Sequence, residues 1–169
     1  MQFGPVLYRY TAKDRAKKQV IEHFVYPRFT RLVHTEGENV KINEAYKLVR
    51  ESEIRNNQIV SDVSNCLKNG RTPLVLTKFK DHATYLFEKL NWSADHIFLL
   101  QGGKSTKEQD YIRIQMKKVP DNETIVLVAI GQFIGEGFNY PRLDTMMLTT
   151  PIAWQGNVEQ YAGRLHRDF

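Results

Sequence analysis

Short apolar runs alternate with helical patterns through the second half of the chain. These runs are apolar throughout instead of alternating with polar residues, and they cover residues 72–77, 96–100, 124–130 and 145–148. Strands that are buried on both faces have this composition, and helices that connect such strands lie on the faces of a parallel sheet. The sequence therefore predicts an α/β fold, with a parallel sheet flanked by helices on both faces.

Helical patterns occupy the segments between these runs. Ser105 is followed three residues later by Glu108, which predicts a capping box at the start of a helix over residues 105–119. A last helix is predicted over residues 155–165. The apolar residues predicted to share the buried face of a helix are Phe79, Ala83, Leu86 and Leu90 in one segment and Ile112, Met116 and Val119 in the next.

The first half of the chain has a less regular pattern. Residues 6–10 and 20–31 are candidate strands, and Pro27 would keep the second near a sheet edge because proline has no N–H to donate. Residues 41–69 predict one long helix that ends at Gly70. No repeat or linker separates the two halves, so we expect one domain in which residues 1–70 lead into a core formed by residues 71–169.

Composition and charge limit the classes of protein to which the chain can belong. It has 169 residues, a formal net charge of +5 and one cysteine, Cys66, which cannot form an internal disulfide. No apolar run reaches the roughly 18 residues of a membrane-spanning helix, and the N-terminus has no signal-peptide pattern. The histidines have no metal-ligand spacing with one another or with Cys66, so no metal site is expected. We expect a cytoplasmic protein with no membrane partner. Its net positive charge favours a polyanionic partner.

The sequence GGKST, which ends at Thr106, resembles the end of a nucleotide-binding P-loop. A P-loop needs a further glycine at the position that Phe98 occupies here, so that backbone N–H groups can surround the phosphates. Phe98 lies within a predicted strand and cannot make that turn. We therefore interpret Gly102 and Gly103 as a turn before a capped helix, whose N-terminus can still contact a nucleic-acid phosphate.

The C-terminal sequence QYAGRLHRDF places a polar cluster on one side of the last predicted helix. At about 100° per residue, Gln160, Arg164 and Arg167 fall within about 60° of one another, with Gly163 beside them. Two ordinary arginines on a solvated face would have the same spacing. Two guanidiniums beside a glycine are also a way to complement the negative charge of a triphosphate.

The order of these features resembles that of superfamily 2 helicases of the DEAD/DEAH type, related to restriction and DNA-repair helicases. Residues 126–167 resemble the linked motifs V and VI of that superfamily, in which a G-x-D-x-P loop after a buried strand precedes a Q-x-x-G-R-x-x-R helix. Here the loop begins at Gly137 and ends at Pro141. LVLTKF at residues 74–79 looks like motif IV, and LLQGGKSTKEQ looks like the glycine turn that follows the next strand.

This resemblance implies that the chain is the second of two RecA-like domains, each a parallel sheet with helices on both faces. The first domain would carry the P-loop and the D-E-x-H motif, and neither motif occurs in these 169 residues. The expected cofactor is ATP with Mg²⁺, bound mainly by that N-terminal RecA-like domain of the same polypeptide. The expected function is half of an ATP-dependent helicase or translocase, and we expect the isolated domain to be inactive.

The resemblance also implies roles for the motif residues. Arg167 corresponds to the arginine finger that acts on the γ-phosphate, and the counterpart of Arg164 also faces the phosphates. The counterpart of Gln160 helps to couple the phosphates to the cleft between the domains. The residues expected on the nucleotide side are Gly137, Asn139, Glu136 and Gly163. We interpret Glu136 as a solvated or loop-pinning carboxylate instead of a catalytic base.

Nucleic acid, with DNA as the expected kind, would cross the top of both domains through phosphate contacts. The residues expected to make these contacts through hydroxyl or backbone N–H groups are Thr77, Gly102, Gly103, Ile130 and Gly131. Two positions depart from the superfamily pattern. Asn139 stands where aspartate is usual and brings no charge to a ribose hydroxyl, and Ile130 stands where a threonine often donates to a phosphate.

A second hypothesis is a module of the same fold that binds nucleic acid or protein without turnover. The departures at Asn139 and Ile130 favour it. A dinucleotide-binding enzyme is disfavoured because no G-x-G-x-x-G follows a predicted strand. A P-loop and a DEAH-like motif upstream in the full-length protein would favour the motor over the module.

Overall fold

The computed structural model of the chain describes residues 24–30, 41–102, 105–134, 138 and 140–151. The strands within these residues are β1 (Pro73–Thr77), β2 (His96–Leu100), β3 (Ile125–Ile130) and β4 (Thr145–Leu148). They form one parallel sheet in the order β2-β3-β1-β4. Each apolar run predicted as a strand becomes one, so the predicted parallel sheet is confirmed.

The strands send alternate side chains to opposite faces of the sheet. In β1, Leu74 and Leu76 pack into one apolar cluster with Met116, whereas Val75 packs into a second cluster with Val63. Both faces are therefore buried, which is why the strand runs are apolar throughout.

Helices cover both faces of this sheet, as the sequence predicts. They are α1 (Ile42–Glu51), α2 (Glu53–Lys68), α3 (Lys80–Leu90) and α4 (Thr106–Lys118), and a 3₁₀ helix (Gly131–Ile134) follows β3. Side chains of α2 and α3 belong to the second cluster, on one face, and Met116 of α4 belongs to the first, on the other. In the part of the chain that the structure describes, no helix has the length and apolar character to cross a membrane.

The predicted single helix over residues 41–69 is wrong, because Ser52 divides it into α1 and α2. Ser52 has an extended backbone (φ −65°, ψ 106°), and its N–H donates to the Leu48 carbonyl at the end of α1. Its hydroxyl accepts the Arg55 N–H at 3.4 Å and caps α2. A serine hydroxyl that bonds to nearby backbone competes with helical hydrogen bonding. The predicted stop is confirmed, since α2 ends at Lys68 and Gly70 has a φ of 70°.

The predicted strand over residues 20–31 is wrong where the structure describes it. Residues 24–30 form neither helix nor strand, and residues 24–29 are exposed. Pro27 cannot donate to a ladder, and the segment is instead held by an ion pair between Arg28 and Asp62 of α2, at 2.6 Å. The strand predicted over residues 6–10 and the helix predicted over residues 155–165 lie outside the described residues.

The predicted capping box at the start of α4 is confirmed. The Ser105 hydroxyl accepts the Glu108 N–H at 3.3 Å, and the Glu108 carboxylate accepts the Ser105 N–H at 2.7 Å. Both donors would otherwise lack a partner in the first turn. Helix α4 thus begins with two backbone N–H groups bonded by the side chains of Ser105 and Glu108.

Candidate functional site

The carboxyl ends of the strands bring several predicted site residues to one edge of the sheet. Thr77 ends β1 and Ile130 ends β3, and these two residues are partners in the strand register. Gly102 follows the end of β2 by two residues, and Gly131 follows Ile130 directly. Ligands of open parallel α/β sheets bind outside this edge. The structure therefore places all the residues predicted to contact nucleic acid at this edge except Gly103, which lies outside the described residues.

Thr77 is buried at the end of β1, with 3% of its surface exposed. Its hydroxyl lies 2.9 Å from His82 Nδ1 and accepts the Phe79 N–H at 3.4 Å. The donor of the hydroxyl and one of its two acceptor positions are thus used within the protein. A phosphate contact through this hydroxyl stays a prediction, and it would require the Thr77 hydroxyl to leave His82.

His82, on α3, connects Thr77 to a neighbouring helix. Its Nε2 lies 2.9 Å from Asn56 Oδ1 on α2, and Asn56 Nδ2 donates to the Arg50 carbonyl at 2.7 Å. Because the Asn56 amide must point its nitrogen at that carbonyl, its oxygen accepts from His82. The ring therefore carries its proton on Nε2, and Nδ1 accepts from the Thr77 hydroxyl.

The environment of His82 favours its neutral form. Burial lowers its pKa to about 4, the positive charges of Arg55 and Arg50 act in the same direction, and the nearby Asp81 carboxylate opposes them. At neutral pH the ring is therefore uncharged, which agrees with the tautomer that the hydrogen bonds require. A cationic ring would need an acceptor at Nδ1, a position that the Thr77 hydroxyl now fills as a donor.

Arg55 ties the end of β4 to the helices. Its guanidinium donates to the Thr149 carbonyl and, at 3.3 Å, to the Val49 carbonyl of α1. The Thr149 hydroxyl donates to the Leu76 carbonyl of β1 at 2.8 Å. These contacts hold the carboxyl ends of β1 and β4 together and attach both to α1 and α2.

Lys78 is exposed beside this buried network and was not singled out from the sequence. Its N–H donates to the Thr150 hydroxyl at 3.0 Å, which fixes its backbone. Its Nζ lies 4.6 Å from the centre of the Tyr46 ring, within the range of a cation–π contact. Arg50 stacks on the other nearby ring, Phe79, at 4.4 Å. A lysine directly after β1, in LVLTKF, is the sequence signal that could have identified this exposed cation.

The loop that resembles motif V is described at the residues that anchor it. Phe138 and Tyr140, on either side of Asn139 in the sequence, are 2% and 5% exposed and belong to the same apolar cluster as Met116. Ile130, just before the 3₁₀ helix, packs against the other cluster, on the opposite face of the sheet. The residues of this loop predicted on the nucleotide side, Glu136, Gly137 and Asn139, lie outside the described residues.

The predicted motif VI residues also lie outside the described residues. They are Gln160, Gly163, Arg164 and Arg167, and their roles stay predictions. Among the residues that the structure does describe, no group of three or more His, Cys, Asp or Glu side chains is arranged to hold a metal ion.

Comparison with known families identifies the class of domain. Residues 56–168 match the model of the helicase conserved C-terminal domain. The matched range begins within α2 and includes the carboxyl edge of the sheet, the motif V loop and the Gln160–Arg167 motif.

Individual proteins similar to this chain include a poxviral relative and two solved structures. Transcript termination protein A18 of Myxoma virus (strain Lausanne) is 25% identical over 160 residues, which cover 89% of this chain and 32% of the viral protein. The crystal structure of T4 UvsW has a TM-score of 0.62 at 18% identity, over 76% of this chain and 26% of that one. The C-terminal part of the Fun30 ATPase domain has a TM-score of 0.55 at 13% identity, over 70% of this chain and 38% of that one. The chain thus spans about a third of the length of the viral relative, and the two structures share its fold.

Proposed function

Because this chain belongs to the helicase conserved C-terminal domain family, we propose that it forms the C-terminal half of an ATP-dependent nucleic-acid helicase or translocase. The observation that carries the proposal is the family match over residues 56–168, which includes both the carboxyl edge and the Gln160–Arg167 motif. The transcript-termination role in the name of the poxviral relative supports a nucleic-acid substrate.

In the proposed motor, ATP and Mg²⁺ lie between this domain and the N-terminal RecA-like domain of the same polypeptide. Arg167 supplies positive charge to the γ-phosphate as it is transferred, and Arg164 and Gln160 support it. Gly137 and Asn139 are the residues of the motif V sequence proposed to contact the nucleotide. This chain has no P-loop sequence, so the α- and β-phosphates are held mainly by the partner domain.

Nucleic acid, with DNA as the proposed kind, crosses the carboxyl edge of the sheet. Gly102, Gly103 and Gly131 offer backbone N–H groups, and Lys78 adds an exposed positive charge held against Tyr46. Such groups contact phosphates, which are the same in every sequence. We therefore propose binding that does not depend on base sequence.

A non-catalytic module of the same fold is the second candidate function. The observation that favours it is Ile130, whose half-buried side chain packs against an apolar cluster at the position where a threonine often donates to a phosphate. Such a module would keep the fold and bind nucleic acid or protein without hydrolysing ATP.

ATP hydrolysis by the full-length parent and by this chain alone distinguishes the two candidates. We expect the parent to hydrolyse ATP faster when single-stranded DNA is added, and the isolated chain to release no phosphate. Arg71→Ala is a suitable control, since this exposed arginine forms a surface ion pair with Asp144, at 3.5 Å. A parent that binds DNA but hydrolyses no ATP would support the module instead.

A further inference from the structure

The ammonium of Lys78 lies over an aromatic surface that two parts of the chain form together. Its Nζ is 4.6 Å from the centre of the Tyr46 ring of α1 and 5.9 Å from that of the Phe79 ring, in the connection between β1 and α3. The two rings meet edge to face, with their centres 5.2 Å apart and their planes at 67°. The face of such a ring attracts a cation, so this surface restricts an ammonium that its flexible stem would otherwise leave free to move.

Arg50 holds the second ring of this surface and attaches α1 to the start of α3. It lies four residues after Tyr46, so the two side chains share one face of α1. Its guanidinium lies 4.4 Å from the centre of the Phe79 ring, and its Nη1 donates to Asp81 Oδ2, in the first turn of α3, at 2.6 Å. Helix α1 thus presents a ring and a guanidinium together to the connection that carries Lys78.

The charge of Lys78 remains available to a ligand at the carboxyl edge. Lys78 is exposed, and the nearest carboxylate in the sequence, that of Asp81, is paired with Arg50. No carboxylate among the described residues forms an ion pair with Lys78. An ammonium has three N–H donors, and the face of one ring cannot occupy all of them. An anion can therefore bind Lys78 while the side chain stays on the Tyr46 ring.

A lysine that is held in advance favours binding of a phosphate. A lysine side chain that moves freely loses rotamer freedom when it binds, and this loss weakens the complex. The contact with Tyr46 restricts Lys78 in the folded protein, before any ligand arrives, and the backbone of Lys78 is fixed by its N–H bond to the Thr150 hydroxyl at 3.0 Å. A phosphate at the carboxyl edge therefore meets an ammonium whose position is already restricted.

We propose that Tyr46 of α1 is a positioning residue for nucleic-acid binding, which acts by holding the ammonium of Lys78 for a backbone phosphate. Arg50 supports it by holding the Phe79 ring. Both Tyr46 and Arg50 precede residue 56, where the match to the family model begins, so α1 adds to the carboxyl edge a contact from outside the matched range. This proposal rests on the proposed function, in which nucleic acid crosses that edge.

Fluorescence anisotropy titrations of this chain with a labelled single-stranded DNA, at one low salt concentration, test the proposal. We expect Tyr46→Leu to weaken binding roughly 2- to 5-fold, which is the size of effect expected for an exposed cation–π contact. Tyr46→Phe keeps a ring face and should restore most of the affinity. The salt dependence of binding should be the same in Tyr46→Leu as in the wild type, because the charge of Lys78 is still present.

The same substitution in a Lys78→Ala background separates positioning from a general effect on the fold. Tyr46→Leu should weaken binding no further there, because the ammonium that Tyr46 positions is gone. Tyr85→Leu is the matched control, since it removes a ring that lies 5.5 Å from Lys89 Nζ, and it should leave binding unchanged. An equal loss from Tyr46→Leu in both backgrounds, or wild-type affinity in folded Tyr46→Leu, would overturn the proposal.

NMR of the wild type gives a measurement that does not depend on the folding of a variant, and it decides if Tyr46→Leu does not fold. The ring current of Tyr46 should move the ε-methylene protons of Lys78 upfield of those of the exposed Lys80, and added single-stranded DNA should shift them again. Lys78 resonances that DNA leaves unchanged would overturn the proposal.

Failure of the proposed nucleic-acid contact has a different result from failure of this inference. Wild-type affinity in Lys78→Ala would show that nucleic acid does not contact this part of the carboxyl edge, and both would fall. A loss of affinity in Lys78→Ala with none in Tyr46→Leu would overturn the role of Tyr46 alone.

Discussion

His82 is the residue through which α2, α3 and β1 meet at the carboxyl edge of the sheet. It lies on α3 with 2% of its surface exposed, and its two ring nitrogens contact Asn56 of α2 and Thr77 of β1. A buried polar ring is costly unless both nitrogens are paired. His82 therefore fixes the end of β1 from the inside, beside the exposed Lys78.

His82 should make the stability of the chain depend on pH. Its pKa in the folded state is about 4, below the ordinary value of 6.5, so the unfolded chain binds the proton more readily. The contribution of neutral His82 to the free energy of unfolding is therefore fully present above about pH 6.5. It falls by about 3 kcal/mol as the pH is lowered towards 4. Urea unfolding of the wild type and of His82→Gln across this range measures the effect. Identical pH profiles for the two proteins would contradict it.

Arg167 should be needed for turnover in the full-length parent but not for nucleic-acid binding. We expect Arg167→Ala to lower the ATP turnover number by roughly 10³–10⁵, because an arginine finger meets charge that develops only in the transition state. Lysine should substitute poorly, since it lacks the planar fork that engages two oxygens. Turnover, a DNA-binding isotherm and a melting curve for each variant check this, with Arg71→Ala as the control. Near-normal turnover in folded Arg167→Ala would remove the main support for the motor.

Among the elements, α4 has side-chain hydrogen bonds at both of its ends. It begins at the capping box after the glycine turn, and its last turn and the residues that follow it receive the hydrogen bonds of Tyr140 and Arg142. The α1–α2 pair has a different role, since α2, which begins after the break at Ser52, places Arg55 against the end of β4 and Asn56 against His82 of α3. In each of these elements the contacts lie at or near the end of a helix, where backbone groups lack helical partners.

The capping box should contribute measurably to the stability of α4. We expect Ser105→Ala to lower the free energy of unfolding by about 1 kcal/mol, because the Glu108 N–H loses its acceptor. Lys107→Ala, at an exposed position of the same turn, should change it by less than about 0.5 kcal/mol. Chemical unfolding of the chain and both variants makes the comparison. Equal losses from the two substitutions would mean that the cap has no specific effect.

At the scale of the whole molecule, the net charge of +5 and the exposed Lys78 at the carboxyl edge favour weak, salt-sensitive binding of nucleic acid by this chain alone. The logarithm of the binding constant falls linearly with the logarithm of the salt concentration. We expect Lys78→Ala to make this slope shallower by roughly 1, as for the loss of one phosphate contact. Lys89→Ala is the matched control, because Lys89 also lies over a ring, that of Tyr85 at 5.5 Å, but in the last turn of α3. Binding titrations with single-stranded DNA at several salt concentrations give the slopes. Equal slopes for both variants, or strong preference for one sequence at high salt, would contradict this prediction.

The sequence by itself determined the features that depend on neighbouring residues. The apolar runs placed each described strand to within a residue, because burial on both faces leaves a local pattern. Ser105 and Glu108 predicted the capping box for the same reason, since its partners are three residues apart. The order of the motifs, also a linear property, indicated the family that residues 56–168 match.

The tertiary structure decided the contacts between residues that are distant in the chain. His82 and Asn56, which bond to each other, are 26 residues apart, and Arg55 and Thr149 are 94 residues apart. No local pattern marks such pairs, because each residue type is also common on a solvated surface. The break at Ser52 is a different case: its cap is local, but serine also occurs within helices, so its presence alone did not predict the break. The polar side chains of these distant pairs must be hydrogen-bonded because they are buried in the fold. Which side chains are buried is decided by the packing of the whole molecule.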